Sequence, residues 1–158
     1  MSPYNLLVFA HILAAFILVG GIVVQRVGLI LMRSATPNEV LAAYRTYAAS
    51  PRLIIPAVVS TFVTGLILAW FIGYTWRALW ISATVVLLVA LEAWRGIVVA
   101  PLIKRMVAMA GQVAADPAAH GGAMIALARQ PRFVWGYVCM DLTTLTILAL
   151  MVFKPMAL

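Results

Sequence analysis

The sequence predicts an all-α integral membrane protein: a four-helix bundle with short cytoplasmic helical connections, expected to form one membrane domain over residues 1–158. Three observations predict it. First, 66% of the 158 residues are hydrophobic and 9% are charged, against about 45–50% and about 25% in soluble domains. Second, the apolar residues fall into four runs, each near the ~20 residues a helix needs to cross ~30 Å of hydrocarbon. Third, Arg and Lys stand mostly between the runs, the distribution of charges placed at a membrane face. That placement makes the lipid bilayer, not nucleic acid, the partner implied by the net charge of +7.

The first span is read over 5–32. From Leu6 to Val24 its only ionisable side chain is His11. The apolar run is too long for the core of a cleaved signal peptide, and residues 1–4 carry no Lys or Arg, so the span is expected to stay. At 100° per residue, His11, Gln25 and Arg26 share an arc with Ala15, Leu18, Ile22 and Leu29. Lipid offers polar groups no partner, so this arc is expected to face other helices. Gly20-Gly21 leaves room for a close neighbour.

Thr36-Pro37-Asn38-Glu39 reads as a helix start, with Thr36 as cap, Pro37 at the first helical position and Glu39 reaching back. A short helix is expected from Pro37 to about Ala49, stopping before Pro51. The second span is read over 53–74. In it Ala57, Thr61, Gly65 and Ala69 repeat every four residues, a small-residue stripe suited to close packing. Ser60 and Thr64 lie nearby and can bond across helices or back to their own carbonyls. Trp70, Tyr74, Trp76 and Trp80 then form an aromatic belt around a short turn.

The third span is read over 78–100, with Pro101 bending or ending it and the helix continuing from Met106 towards Ala115. Asp116-Pro117 and Gly121-Gly122 read as breaks, and Met124 to Arg129 as one more helical piece. The fourth span is read over 132–153. The two longer connections hold Arg33, Arg45, Arg52, Lys104, Arg105, Arg129 and Arg132, against Arg77 and Lys154 in the short turn and the tail. This bias predicts a multi-pass protein of the bacterial inner membrane with both termini on the outer side.

Charges at membrane depth are the candidate site. At ~1.5 Å per residue, Arg26, Glu92, Arg95 and Asp141 lie ~7–14 Å from the inner ends of three spans. A lone charge at the bilayer centre costs at least ~2.5–3.5 kcal/mol. The four are therefore expected to form one buried cluster, serving either to fix helix register or as a proton relay or anion site. Both arginines can also snorkel to the headgroups.

His11, ~9 Å below the outer face, is the candidate haem or metal ligand, since neutral imidazole binds iron well. The plainer reading has it bonded to Ser, Thr or a carbonyl of a neighbouring helix. His120 falls in a cytoplasmic loop, so a bis-histidine haem within one chain is not expected. A methionine second ligand or five-coordinate iron remains open, which leaves haem b as the candidate cofactor. The lone Cys139 makes neither a disulfide nor a thiolate cluster. No metal-protease, phosphate-loop or nucleophile-elbow pattern is present.

Three short segments carry a family resemblance. They are His11 through Gly20-Gly21, Pro56-Ala57 through Thr64-Gly65-Leu66, and the ending Leu150-Met151-Val152-Phe153-Lys154-Pro155. In these the chain resembles the bacterial predicted integral membrane proteins called domain of unknown function 2269. The resemblance covers nearly the whole chain and implies four spans without an assigned reaction. The opening is also similar to porphyrin- and copper-related membrane families, which place additional histidines in their spans; this sequence does not.

Three functional readings stand. One is a non-enzymatic accessory or structural membrane component, working with a membrane protein partner or as a homo-oligomer. The second is a haem- or porphyrin-binding redox protein using His11. The third is a proton or small-anion transporter using Arg26, Glu92, Arg95 and Asp141.

Overall fold

The computed structural model describes residues 2–73 and 78–153. Tyr74, Trp76 and Arg77 of the expected belt and turn, and the Lys154-Pro155 ending, lie outside them. Within the described residues the chain is all α, with seven α-helices and one π turn. Four helical stretches are long and apolar enough to cross a membrane: Pro3–Ser34, Val40–Phe71, Leu79–Ala115 and Pro131–Phe153. The chain forms two compact units.

The first unit holds α1 (Pro3–Ser34), α2 (Val40–Ala49) and α3 (Pro51–Phe71). Helix α1 begins with Ser2, whose Oγ accepts from the Asn5 N–H at 3.3 Å, and Pro3, a side-chain cap followed by a residue with no N–H to leave unpaired. Its buried residues Ala14, Gly21 and Gly28 recur every seven positions, the repeat that keeps one seam of a helix against a neighbour. A Cβ on Gly21 would come within 2.8 Å of Ile54 Cγ1 in α3, and one on Gly28 within 2.5 Å of the Tyr47 backbone N in α2. At these glycines a neighbouring helix occupies the space a side chain would need.

Helix α2 starts at Val40, with Glu39 at its cap position, and not at Pro37 as the local pattern suggests. Residues 36–38 belong with the second unit, where the Pro37 backbone lies on Gly121: a Cβ there would meet the Pro37 carbonyl oxygen at 2.5 Å. That contact displaces the first turn of the expected helix. At the other end the helix stops before Pro51 as its ring requires. Pro51 has no N–H for the Tyr47 carbonyl, and Ser50 supplies both its own N–H (3.2 Å) and its hydroxyl (2.8 Å). Ser50 is fully buried, so these bonds replace the water that a freed carbonyl would otherwise need.

The second unit holds α4 (Leu79–Trp94), a π turn (Arg95–Val99), α5 (Ala100–Ala115), α6 (Pro117–Arg129) and α7 (Pro131–Phe153). The third span thus continues to Ala115 without ending at Pro101. Pro101 has no N–H for the Ile97 carbonyl, and just before it the helix widens. Ala100 N–H reaches back five residues to the Arg95 carbonyl, while Arg132 Nη2 on α7 approaches the Ile97 carbonyl at 3.5 Å. Asp116 caps α6 through the Ala119 N–H at 3.0 Å, with Pro117 at the first position. Gly121-Gly122 does not break α6. Gly121 is buried in it, and the close Pro37 backbone gives the reason for a glycine there. Met106, Val113, Met124, Phe133 and Tyr137 form the buried centre of this unit; the Phe133 and Tyr137 rings meet edge to face at 5.1 Å, the favoured geometry for aromatic pairs.

Candidate functional site

Helix α3 carries its small residues on the side that meets α1. Ala57 and Thr61 are buried, and Ala69 is half-buried. A Cβ on Gly65 would lie 3.1 Å from His11 Cε1. The glycine therefore opens the space the imidazole fills. His11 Nδ1 is 3.0 Å from Thr64 Oγ1, and the Thr61 carbonyl lies close to the ring. Thr64 Oγ1 is itself 2.6 Å from the Ser60 carbonyl oxygen. A hydroxyl has one proton, and that proton goes to Ser60; Thr64 then accepts at its lone pair. A ring protonated on Nδ1 can then donate to Thr64, the tautomer that leaves the lone pair on Nε2.

The Gly20-Gly21 pair divides in role. Gly21 meets Leu53 and Ile54, whereas a Cβ on Gly20 would touch nothing within 4 Å. Consecutive helical residues point 100° apart, so only one can face α3.

The four charged candidates are carried by both units. Arg26 is on α1, in the first unit; Glu92, Arg95 and Asp141 are in the second, on α4, the π turn and α7. Glu92 and Arg95 are brought together. Arg95 Nε donates to Glu92 Oε2 at 2.7 Å, and Nη2 stands 2.6 Å from the same oxygen. The pair is about half exposed, 49% for Arg95 and 53% for Glu92. Beside it, Trp94 Nε1 donates to the Gly136 carbonyl of α7 at 3.0 Å, and Val98 and Val99 pack on the Cα of Gly136. The sequence reading missed this Trp94–Gly136 junction. Its one legible signal was a glycine inside an otherwise bulky span.

Among the described residues, no three His, Cys, Asp or Glu side chains come together as a metal site would require. Thr143, Thr144 and Thr146 return their hydroxyls to carbonyls of α7 four residues back, at 2.8–2.9 Å. This is how a membrane helix satisfies hydroxyls without a partner.

Four apolar helices of spanning length are now joined by a sequence match. The predicted integral membrane protein family, domain of unknown function 2269, matches residues 5–155. The chain belongs to that family. No curated protein and no solved structure matches it. Membership in domain of unknown function 2269 accounts for the multi-pass membrane character and assigns no reaction.

Proposed function

We propose that the protein is a non-enzymatic accessory or structural component of the bacterial inner membrane. The observation that carries the proposal is the setting of His11. Its ring fills the space above Gly65 and is tied through Nδ1 to Thr64, so the most chemically versatile side chain of the first span fastens two helices. The reading places both termini on the outer side, supported by the seven basic residues of the two longer connections.

The test is gentle purification from native membranes, with an absorption spectrum and identification of co-purifying chains. A colourless preparation that brings down a membrane protein in fixed ratio is the expected result. A Soret band lost in His11→Ala would overturn it.

A second reading is a porphyrin-binding protein with His11 as ligand. It is favoured by one observation: Thr64 Oγ1 stands 3.0 Å from His11 Nδ1, a contact that orients the ring and, with the proton on Nδ1, leaves the Nε2 lone pair for a ligand. Ligating histidines are commonly held this way. The donor set is a single imidazole, which fits a five-coordinate haem. Bound haem would supply electron-transfer chemistry; His11 would hold the iron and Thr64 would fix the ring. Haemin added to purified protein, wild type against Thr64→Val and His11→Ala, decides between the readings.

A further inference from the structure

We infer that Glu92 and Arg95 form the centre of an interface between two copies of this chain. At ~1.5 Å per residue, Glu92 stands roughly 20 Å from Leu79, where the third spanning helix begins, and roughly 18 Å from Lys104. It is thus near the middle of the bilayer. Charged side chains at that depth face protein or a water-filled cavity, not acyl chains. Yet both members of the pair are about half exposed.

The pair is also incomplete as an ion pair. Arg95 sends Nε and Nη2 to one oxygen, Oε2. Among the described residues nothing further binds Glu92 or Arg95, so Glu92 Oε1 and Arg95 Nη1 are left for another molecule. One acceptor and one donor, side by side on one face, are complementary to the same face turned about a two-fold axis. Each Oε1 then takes the other copy's Nη1, and both charges gain a second partner. Identical patches meeting in this way are the rule for two-fold interfaces.

The surroundings permit the approach. Val89 is 65% exposed and lies one turn before Glu92. Ala93 is exposed, and Gly96, one turn after Glu92, has open space where a Cβ would stand. Small residues here let a second helix come near enough for the side chains to exchange bonds. The inference does not depend on the role proposed for His11.

The test uses charge reversal between copies. Glu92→Arg gives two positive charges per face and Arg95→Glu gives two negative. Two differently tagged full-length chains are co-expressed in a Cys139→Ser background, with Val89→Cys as the cross-linking probe. Wild-type copies are expected to cross-link through Val89→Cys and to co-purify. Copies carrying only Glu92→Arg, or only Arg95→Glu, should lose association by about tenfold or more, as opposed interfacial charges do. One copy of each should restore it, which also shows that both variants fold. Monomeric wild type, unchanged association of either variant with itself, or a mixture no better than its parts would overturn the inference.

Discussion

Gly28→Ala tests the packing most directly. Gly28 is helical and fully enclosed, and its added methyl would stand 2.5 Å from Tyr47 N, 2.7 Å from Tyr47 Cα and 2.8 Å from Tyr47 Cβ. Two of these atoms are main chain and cannot swing aside. Ordinary carbon contacts lie near 3.5–4.0 Å, so α1 and α2 must separate by roughly 1 Å. Overpacking of this kind costs ~1–3 kcal/mol. Gly20→Ala is the control on the same helix, since its methyl meets nothing. Alanine is also the better helix former, so that variant should match wild type within ~0.5 kcal/mol or exceed it. The assay is titration of purified protein in mixed micelles with sodium dodecyl sulfate, followed by tryptophan fluorescence. Gly28→Ala should unfold at a lower fraction of dodecyl sulfate and Gly20→Ala should not. Equal midpoints for Gly28→Ala and wild type would refute the placement of α2 on α1.

Three further outcomes are expected. Thr64→Val removes the acceptor for His11 Nδ1 and should destabilise by ~0.6 kcal/mol, to at most ~1.7 kcal/mol, the range for hydrogen bonds between membrane helices, read by the same titration. Trp94→Phe keeps an aromatic ring but loses the Nε1–H bond to the Gly136 carbonyl; a loss of similar size is expected, whereas no loss would mean that lipid or water replaces the bond. Gly121→Ala drives a methyl into the Pro37 carbonyl and should free residues 36–38, seen as faster labelling of Asn38→Cys by a soluble maleimide than in the same cysteine variant with Gly121 intact.

The four spans were legible because hydrocarbon imposes a severe condition: every residue along ~30 Å must tolerate lipid or face protein. The expected fourth span and the observed α7 differ by one residue at the start. The stripe on α3 was equally legible, since Ala57, Thr61 and Gly65 recur at the helical repeat and nothing local competes. Local patterns failed where a distant backbone intervened. Thr36 to Glu39 has the residues of a helix start, and Gly121-Gly122 those of a helix break, yet each is overridden by the other: Pro37 seats on Gly121, so one helix starts late and the other runs on. Neither segment names its partner, and no periodicity within either could have done so.

The π turn sharpens the point. Pro101 announces that one carbonyl, that of Ile97, loses its donor. It does not say how the helix responds. A kink is one response and a widened turn is another. Here Val98 and Val99 are seated on Gly136, and Arg132 approaches the orphaned carbonyl, both from α7, and the fault is absorbed in the widened turn Arg95–Val99. The sequence placed both charges at depth and required that they be covered. With the helix geometry known, the two side chains satisfy each other through one oxygen and present their remaining atoms outward. The requirement for cover then passes from this chain to whatever lies against it, and a face carrying one donor and one acceptor is best met by its own copy.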